Sequence, residues 1–211
     1  MEDFPHPAKP VALTRPRGAH RLEAFSLKLN RRLTLYQRCT FDQWIMIEVD
    51  AAARLFCERP GYVQIQEKRL LADFLVSYSD RKELVLLPGS ATADAMSHDL
   101  TFEGDGAIDV RIISPAELAA SRMWIDNWKR MLPCLVVTRG LLEQSLLDAV
   151  LNFVANPKAL SVIEREFSGG DPILARAAVF KLLYAGRLTA PELRVNALSP
   201  TTLFVAEESR L

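Results

Sequence analysis

Asp73 is the single acid in the apolar run LLADFLVSY, which a short polar turn separates from a second apolar run, KELVLL. An acid on an apolar strand can hold a hard divalent cation, and such a cation activates water and neutralises charge on a phosphate under attack. The cation needs several oxygen ligands. Asp42 is the only carboxylate between Glu23 and Glu48. Lys68 and Lys82 are the lysines close enough in sequence to serve such a site from a neighbouring strand. The plainer reading of Asp73 is an acid paired with Arg69 or Lys68, because a buried carboxylate needs a partner in any case. His6, His20 and His98 stand at no ligand spacing and read as solvated. Asp94, Asp99, Glu103, Asp105 and Asp109 form an acidic series that reads as an exposed loop.

Phosphate contact is the second chemistry that the residue types allow. The chain has 211 residues with Lys+Arg equal to Asp+Glu, so net charge points to no partner. The charge is uneven, however. Residues 1–38 carry eight Lys/Arg, among them Arg31 and Arg32, against Glu2, Asp3 and Glu23. A basic arm of this kind suits phosphate or an acidic partner, and a solvated tail is the alternative. Towards the C-terminus, Arg176, Lys181, Arg187 and Arg194 fall where a small helical module would present them, although Glu164, Glu166, Asp171 and Glu192 balance them. Cys39, Cys57 and Cys134 are odd in number and far apart, which disfavours zinc or a disulfide framework and suits reduced, packed thiols. No apolar run approaches the roughly 20 residues of a membrane span. MEDFPHPAKP lacks the apolar core of a signal peptide, so a cytoplasmic location without a membrane partner is expected.

The elements that must position these residues follow from periodicity and punctuation. Pro5, Pro7, Pro10 and Pro16 keep residues 1–20 irregular. Thr40 and Gln43 suggest a capping box for a largely buried helix, FDQWIMIEVDAAARLFC, closed by Pro60-Gly61. YVQIQE, LLADFLVSY and KELVLL read as strands, the last two apolar enough for a sheet covered on both faces. A loop over 89–107 holds a short strand at LTF, then VRIIS is a strand. Ser114-Pro115 starts the helix AELAASRMWIDNWKRML, whose Trp124 and Trp128 share a face for packing. Three more helices are expected over LLEQSLLDAVLNFVAN, ALSVIEREF and ILARAAVFKLLYAG, with Asp171 capping the third and Gly186 ending it. RLTAPELRV and TTLFVAE would then be two wing strands. This layout predicts an arm over 1–30, an α/β domain over 31–139 and a mainly α winged-helix domain over 140–211.

The stretches IMIEVDAAARLFCERPGYVQI, LLADFLVSY and LLYAGRLTAPELRVNALSPTTLF, in this order over residues 30–205, resemble the TnsA-type endonucleases of heteromeric cut-and-paste transposons. The resemblance implies a restriction-endonuclease-like mixed sheet flanked by helices, the PD-(D/E)xK nuclease fold, followed by a winged-helix domain. It implies DNA, a DDE-type transposase and an ATPase regulator as partners. It also implies Mg2+ or Mn2+ held by a helix glutamate, a strand aspartate and an E-x-K on the next strand. Asp73 matches the strand aspartate. Asp42 is the only carboxylate near the helix position, and the E-x-K place holds Leu86, Leu87 and Pro88. The expectation is therefore a TnsA-like protein whose nuclease centre is degenerate, with no cofactor. Its DNA contacts would come from Arg31, Arg32, Arg176, Lys181, Arg187 and Arg194. An active endonuclease with relocated ligands, and a winged-helix regulator unrelated to transposition, are the alternatives.

Overall fold

The structure is a computed structural model that describes residues 9–65, 68–87, 100–102, 108–167, 169 and 172–207. It is a mixed α/β protein with a mixed sheet flanked by helices, and it divides into two compact units. The first holds residues up to Glu48 together with Ala52–Ala120, and the second holds Val49–Ala51 with Ser121–Leu211. The division falls at the bend around Ser121, so the tryptophan helix belongs to the second unit.

The first unit opens with an antiparallel hairpin, β1 (Leu22–Ser26) and β2 (Arg31–Leu35). Glu48, fully buried, fastens the hairpin turn. Its Oε1 accepts from the backbone N–H of Leu27 and Lys28, and its Oε2 accepts from Ser26 Oγ. Glu48 belongs to α1 (Arg38–Val49), a helix buried over most of its circumference, as its apolar residues require. The helix stops at Val49, well short of the Cys57 end that its alanine-rich continuation suggests. Leu55–Glu58 forms strand β3 instead, because this segment gains a full antiparallel ladder along Phe74–Ser77. A strand partner for Leu55–Glu58 outweighs the helical preference of Ala51 to Ala53, since tertiary pairing routinely overrides propensity.

Strands β4 (Tyr62–Ile65) and β7 (Lys82–Leu86) form where expected. The run LLADFLVSY does not make one strand. It splits into β5 (Lys68–Leu71) and β6 (Phe74–Ser77), and the two halves join different sheets. β5 pairs with β4, which also pairs with β8 (Leu100–Phe102). β6 lies between β3 and β7, and β9 (Asp109–Ile112) pairs parallel to β7. The resulting sheet is ordered β3-β6-β7-β9. Its core gathers Val63, Ala72, Leu84 and Leu86. The chain leaves β9 into α2 (Pro115–Ala120), capped by a reciprocal pair: Ser114 N–H donates to Glu117, and Glu117 N–H donates to Ser114 Oγ.

In the second unit the helix expected from Ala116 onwards begins afresh as α3 (Arg122–Val137). Then come α4 (Gln144–Phe153), β10 (Lys158–Ala159), α5 (Leu160–Glu166), α6 (Pro172–Tyr184), β11 (Leu188–Thr189) and β12 (Leu203–Ala206). The three short strands form an antiparallel sheet ordered β10-β12-β11. Gly186 takes φ +69° and closes α6 with a Schellman pair, in which Arg187 N–H donates to Leu182 and Gly186 N–H to Leu183. RLTAPELRV, one strand by its pattern, is not one in the structure. Only Leu188–Thr189 is extended, and Pro191–Arg194 turns into a 3₁₀ helix, since proline gives the ladder no N–H.

Candidate functional site

Asp73 sits one residue before β6, on the inner strand of the four-stranded sheet. The ladder runs past it on both sides. Its carbonyl accepts from Arg59 N–H at 2.8 Å, and its own N–H donates to Val85 at 3.2 Å. Register then sets Leu86 and Leu87 beside it, since Phe74 pairs with Val85. Asp73 Oδ2 accepts the Leu87 N–H at 2.8 Å. Leu86 and Leu87 are both 0% exposed, packed into the core where the resemblance implies an acid and its neighbour. Pro88, which takes the lysine place, lies outside the described residues.

Around Asp73 there is a cavity of about 230 Å3. Glu58 and Arg59 at the end of β3 wall one side, Tyr36, Gln37 and Thr40 at the start of α1 another, and Leu13 and Pro16 of the N-terminal segment a third. That segment is tied in place by Arg59, whose backbone carbonyl accepts from Val11 N–H and whose Nε donates to Val11 O.

The second carboxylate of the cavity is Glu58, which sequence reasoning missed. Its side chain is 3% exposed and is gripped by Arg31 from β2 through two parallel bonds, Nη1 to Oε1 at 2.8 Å and Nη2 to Oε2 at 2.5 Å. Arg59 adds a second cation, with Nη2 3.8 Å from Glu58 Oε1. The fork raises the Arg31 pKa further, against a partial cost of burial. The neighbouring Cys57 thiol is pushed up to about 11, first by burial and then by the Glu58 charge. The signal for Glu58 in the sequence is an acid ending an apolar strand. It is hidden there because that strand reads as the end of a helix.

These residues do not suit a divalent cation. Among the described residues no three of His, Cys, Asp and Glu stand together in a way that could hold a metal. Asp42 is buried in α1 with Arg38 Nε 3.8 Å from its Oδ2, and it does not wall the cavity. Lys82 begins the strand that Leu86 ends, about 13 Å away at strand spacing. The side chain of Lys68, the N-cap role of Asp171, His6, His98 and the acids from Asp94 to Asp105 lie outside the described side chains. His20 and Asp109 are exposed.

The basic residues expected to touch DNA have varied surroundings. Arg31 is committed to Glu58, whereas Arg32 on the same strand points outwards and is exposed. Arg176 on α6 pairs with Glu164 on α5 at 2.5 Å. The Arg194 guanidinium lies 4.8 Å from the Trp124 ring centre, and the Lys181 ammonium 5.5 Å from that of Tyr184. Arg187 is 4.0 Å from Asp148. Between Ala175 and Leu183 of α6, only Arg176 and Lys181 are exposed, because α3, α4 and α5 pack round the helix. Five positions apart, they lie on different faces.

One buried polar residue organises that packing. Asn127 on α3 is 1% exposed. Its Nδ2 donates to the carbonyls of Leu193 and Asn196, each at 2.8 Å, and its Oδ1 accepts from Leu198 N–H at 2.7 Å. It thereby stitches the segment between β11 and β12 onto α3, while Trp128 beside it packs edge-on against Tyr184 of α6. Among the described residues no helix is long and apolar enough to cross a membrane. No family model and no curated protein matches the chain.

Proposed function

We propose that this chain is a non-cleaving DNA-binding and assembly subunit of the TnsA-like kind, acting in the cytoplasm beside a DDE-type transposase and an ATPase regulator. The observation that carries the non-cleaving part is the burial of Leu86 and Leu87 against Asp73, whose carboxylate is bonded to a backbone N–H. A reaction centre for phosphate hydrolysis needs ligands and a proton-transfer group at that point, and it has aliphatic side chains there. The mixed sheet, with three antiparallel strands and a fourth parallel to the third, supports a restriction-endonuclease-like reading. The helix–strand–helix–helix–strand–strand order that follows α3 in the second unit, with its sheet ordered β10-β12-β11, supports a winged-helix reading.

The covering of α6 by α3 favours protein docking over groove reading for that unit. DNA contact is assigned instead to the phosphate-seeking residues of the N-terminal segment and β2, where Lys9, Arg15, Arg17 and Arg32 are exposed. An active endonuclease with relocated ligands would need Asp42 together with Lys68 or Lys82 at the cavity; that Asp42 does not wall it and that Lys82 starts the strand which Leu86 ends weigh against this reading.

Fluorescence anisotropy with a labelled duplex tests the proposal. Binding should weaken with salt, and Arg15→Ala/Arg17→Ala should flatten the log–log salt slope by up to about 2, near 0.9 for each phosphate no longer neutralised. No binding at low salt would remove the DNA role. Nicking of the same duplex in Mg2+ or Mn2+, abolished by Asp73→Ala, would remove the non-cleaving role.

A further inference from the structure

Lys9, Arg15 and Arg17 of the N-terminal segment are exposed, and none of them is paired with a carboxylate among the described residues, unlike Arg31, Arg176 and Arg187. The segment carries Pro10 and Pro16, and it forms neither helix nor strand from Lys9 to His20. It is nevertheless tied down at two points. Ala19 N–H donates to Pro16 O at 3.0 Å, closing a turn in which Gly18 takes φ +77°, and Arg15 Nε donates to Ala19 O at 2.9 Å. Upstream, Val11 is clasped by Arg59. Val11 N–H donates to Arg59 O at 2.8 Å, and Arg59 Nε donates to Val11 O at 3.0 Å, so one residue holds both backbone groups of another.

Arg59 is built for that task. Its backbone stands at φ +50°, a conformation that a non-glycine residue keeps only where its neighbours over-determine it. The neighbours are Asp73, whose carbonyl accepts from Arg59 N–H at 2.8 Å, and Val11 itself. Its guanidinium turns inwards, with Nη1 donating to Thr34 O at 3.2 Å and Nη2 3.8 Å from Glu58 Oε1. The side chain is only 17% exposed, which makes Arg59 a poor phosphate ligand in its own right.

We propose that Arg59 is a positioning residue for DNA contact: by clasping Val11 it keeps the segment that bears Lys9, Arg15 and Arg17 ordered before a phosphate arrives. The inference rests on the DNA reading above and deepens it. A free arm loses its conformational freedom when it binds, and its affinity falls by that cost, whereas a clasped one is ordered already. Opening the clasp lowers the fraction of binding-competent protein, and Kd rises in proportion. The number of phosphates neutralised in the complex stays the same, so the salt slope does not move. That separates Arg59 from Arg15 and Arg17, whose loss flattens the slope.

The test compares full-length wild type, Val11→Pro and Arg59→Lys. Val11→Pro removes the donor to Arg59 O and changes no charge, and Arg59→Lys keeps the charge but loses the Nε bond. Arg59 also holds Thr34 and Glu58, so Val11→Pro decides the matter where Arg59→Lys disturbs the sheet. The clasp is read by brief trypsin digestion followed by mass spectrometry. Trypsin cuts between Arg17 and Gly18, whereas the Lys9–Pro10 and Arg15–Pro16 bonds resist it. Both variants should be cut there about threefold to tenfold faster than wild type, the factor that one lost hydrogen bond implies. By anisotropy with a labelled duplex, both should bind about threefold to tenfold more weakly, with a log–log salt slope within about 0.3 of wild type. Wild-type cleavage in Val11→Pro would overturn the clasp. Wild-type affinity in a Val11→Pro protein that is cut faster would overturn this inference alone, and so would a slope flattened as far as in Arg15→Ala/Arg17→Ala. Absence of duplex binding by wild type would overturn the DNA reading and this inference with it.

Discussion

Replacing Asn127 by alanine separates the α3 surface from the segment it holds. Three hydrogen bonds of 2.7–2.8 Å disappear, and at about 1 kcal/mol net each they account for about 3 kcal/mol. The burial of the groups left behind adjusts that figure in both directions. Leu193 is fully buried, so its carbonyl bears a desolvation penalty, whereas Asn196 is exposed and its carbonyl can turn to water. A cost of about 2–4 kcal/mol follows, with local opening concentrated between Leu193 and Leu198. Urea unfolding followed by far-UV circular dichroism gives the first quantity, and peptide-level hydrogen exchange gives the second. Asn127→Asp sharpens the test. It keeps the acceptor for Leu198 N–H but faces two carbonyls with a carboxylate, so it should be no more stable than Asn127→Ala. A loss under about 0.5 kcal/mol for Asn127→Ala, or near-native stability for Asn127→Asp, would refute the stitching role and the orientation of the amide.

Asp73→Ala should cost about 1–3 kcal/mol through the missing bond to Leu87 N–H, and Asp73→Asn clearly less because an acceptor remains; equal losses in thermal melts would show that the bond is not what matters. Glu117 is held below its usual carboxylate range, first by the Ser114 N–H and then by the Ser114 hydroxyl. Its contribution is therefore present above its unfolded pKa and fades as pH falls through the lowered folded one, and Glu117→Gln should flatten the acid side of a stability-versus-pH curve, measured by urea midpoints at about pH 5 and below. The Cys57 thiol, raised from 9.0 to about 11, stays protonated at about pH 8, so mass spectrometry after iodoacetamide should find Cys57 labelled only on unfolding and well after half-buried Cys39. The same shift makes the folded state lose stability as pH climbs from the unfolded thiol value towards 11, an effect that Cys57→Ala should remove.

Much was legible in the sequence because it depends on local chemistry. Ser114 and Pro115 supply a cap and a pre-set φ for the first turn of a helix, and Gly186 is suited to the positive φ that ends α6. The apolar run of α1 meant burial, and the resemblance, which sets Leu86, Leu87 and Pro88 at the E-x-K place, argued against a catalytic centre. Register then added only that both leucines are fully enclosed and that Leu87 N–H bonds Asp73. Tertiary structure alone decided the rest, since it depends on partners far along the chain. Leu55–Glu58 is a strand because Phe74–Ser77 lies beside it, and only then does Glu58 face a cavity. Arg31, which sequence assigns to phosphate on charge alone, is claimed by a carboxylate 27 residues away. Arg176 and Lys181 read as helix residues that could touch phosphate, yet α3, α4 and α5 pack round the helix and leave the two on different faces. A residue's type sets what it can bind, but competition among neighbours brought together by folding selects what it does bind, and no local pattern carries that outcome.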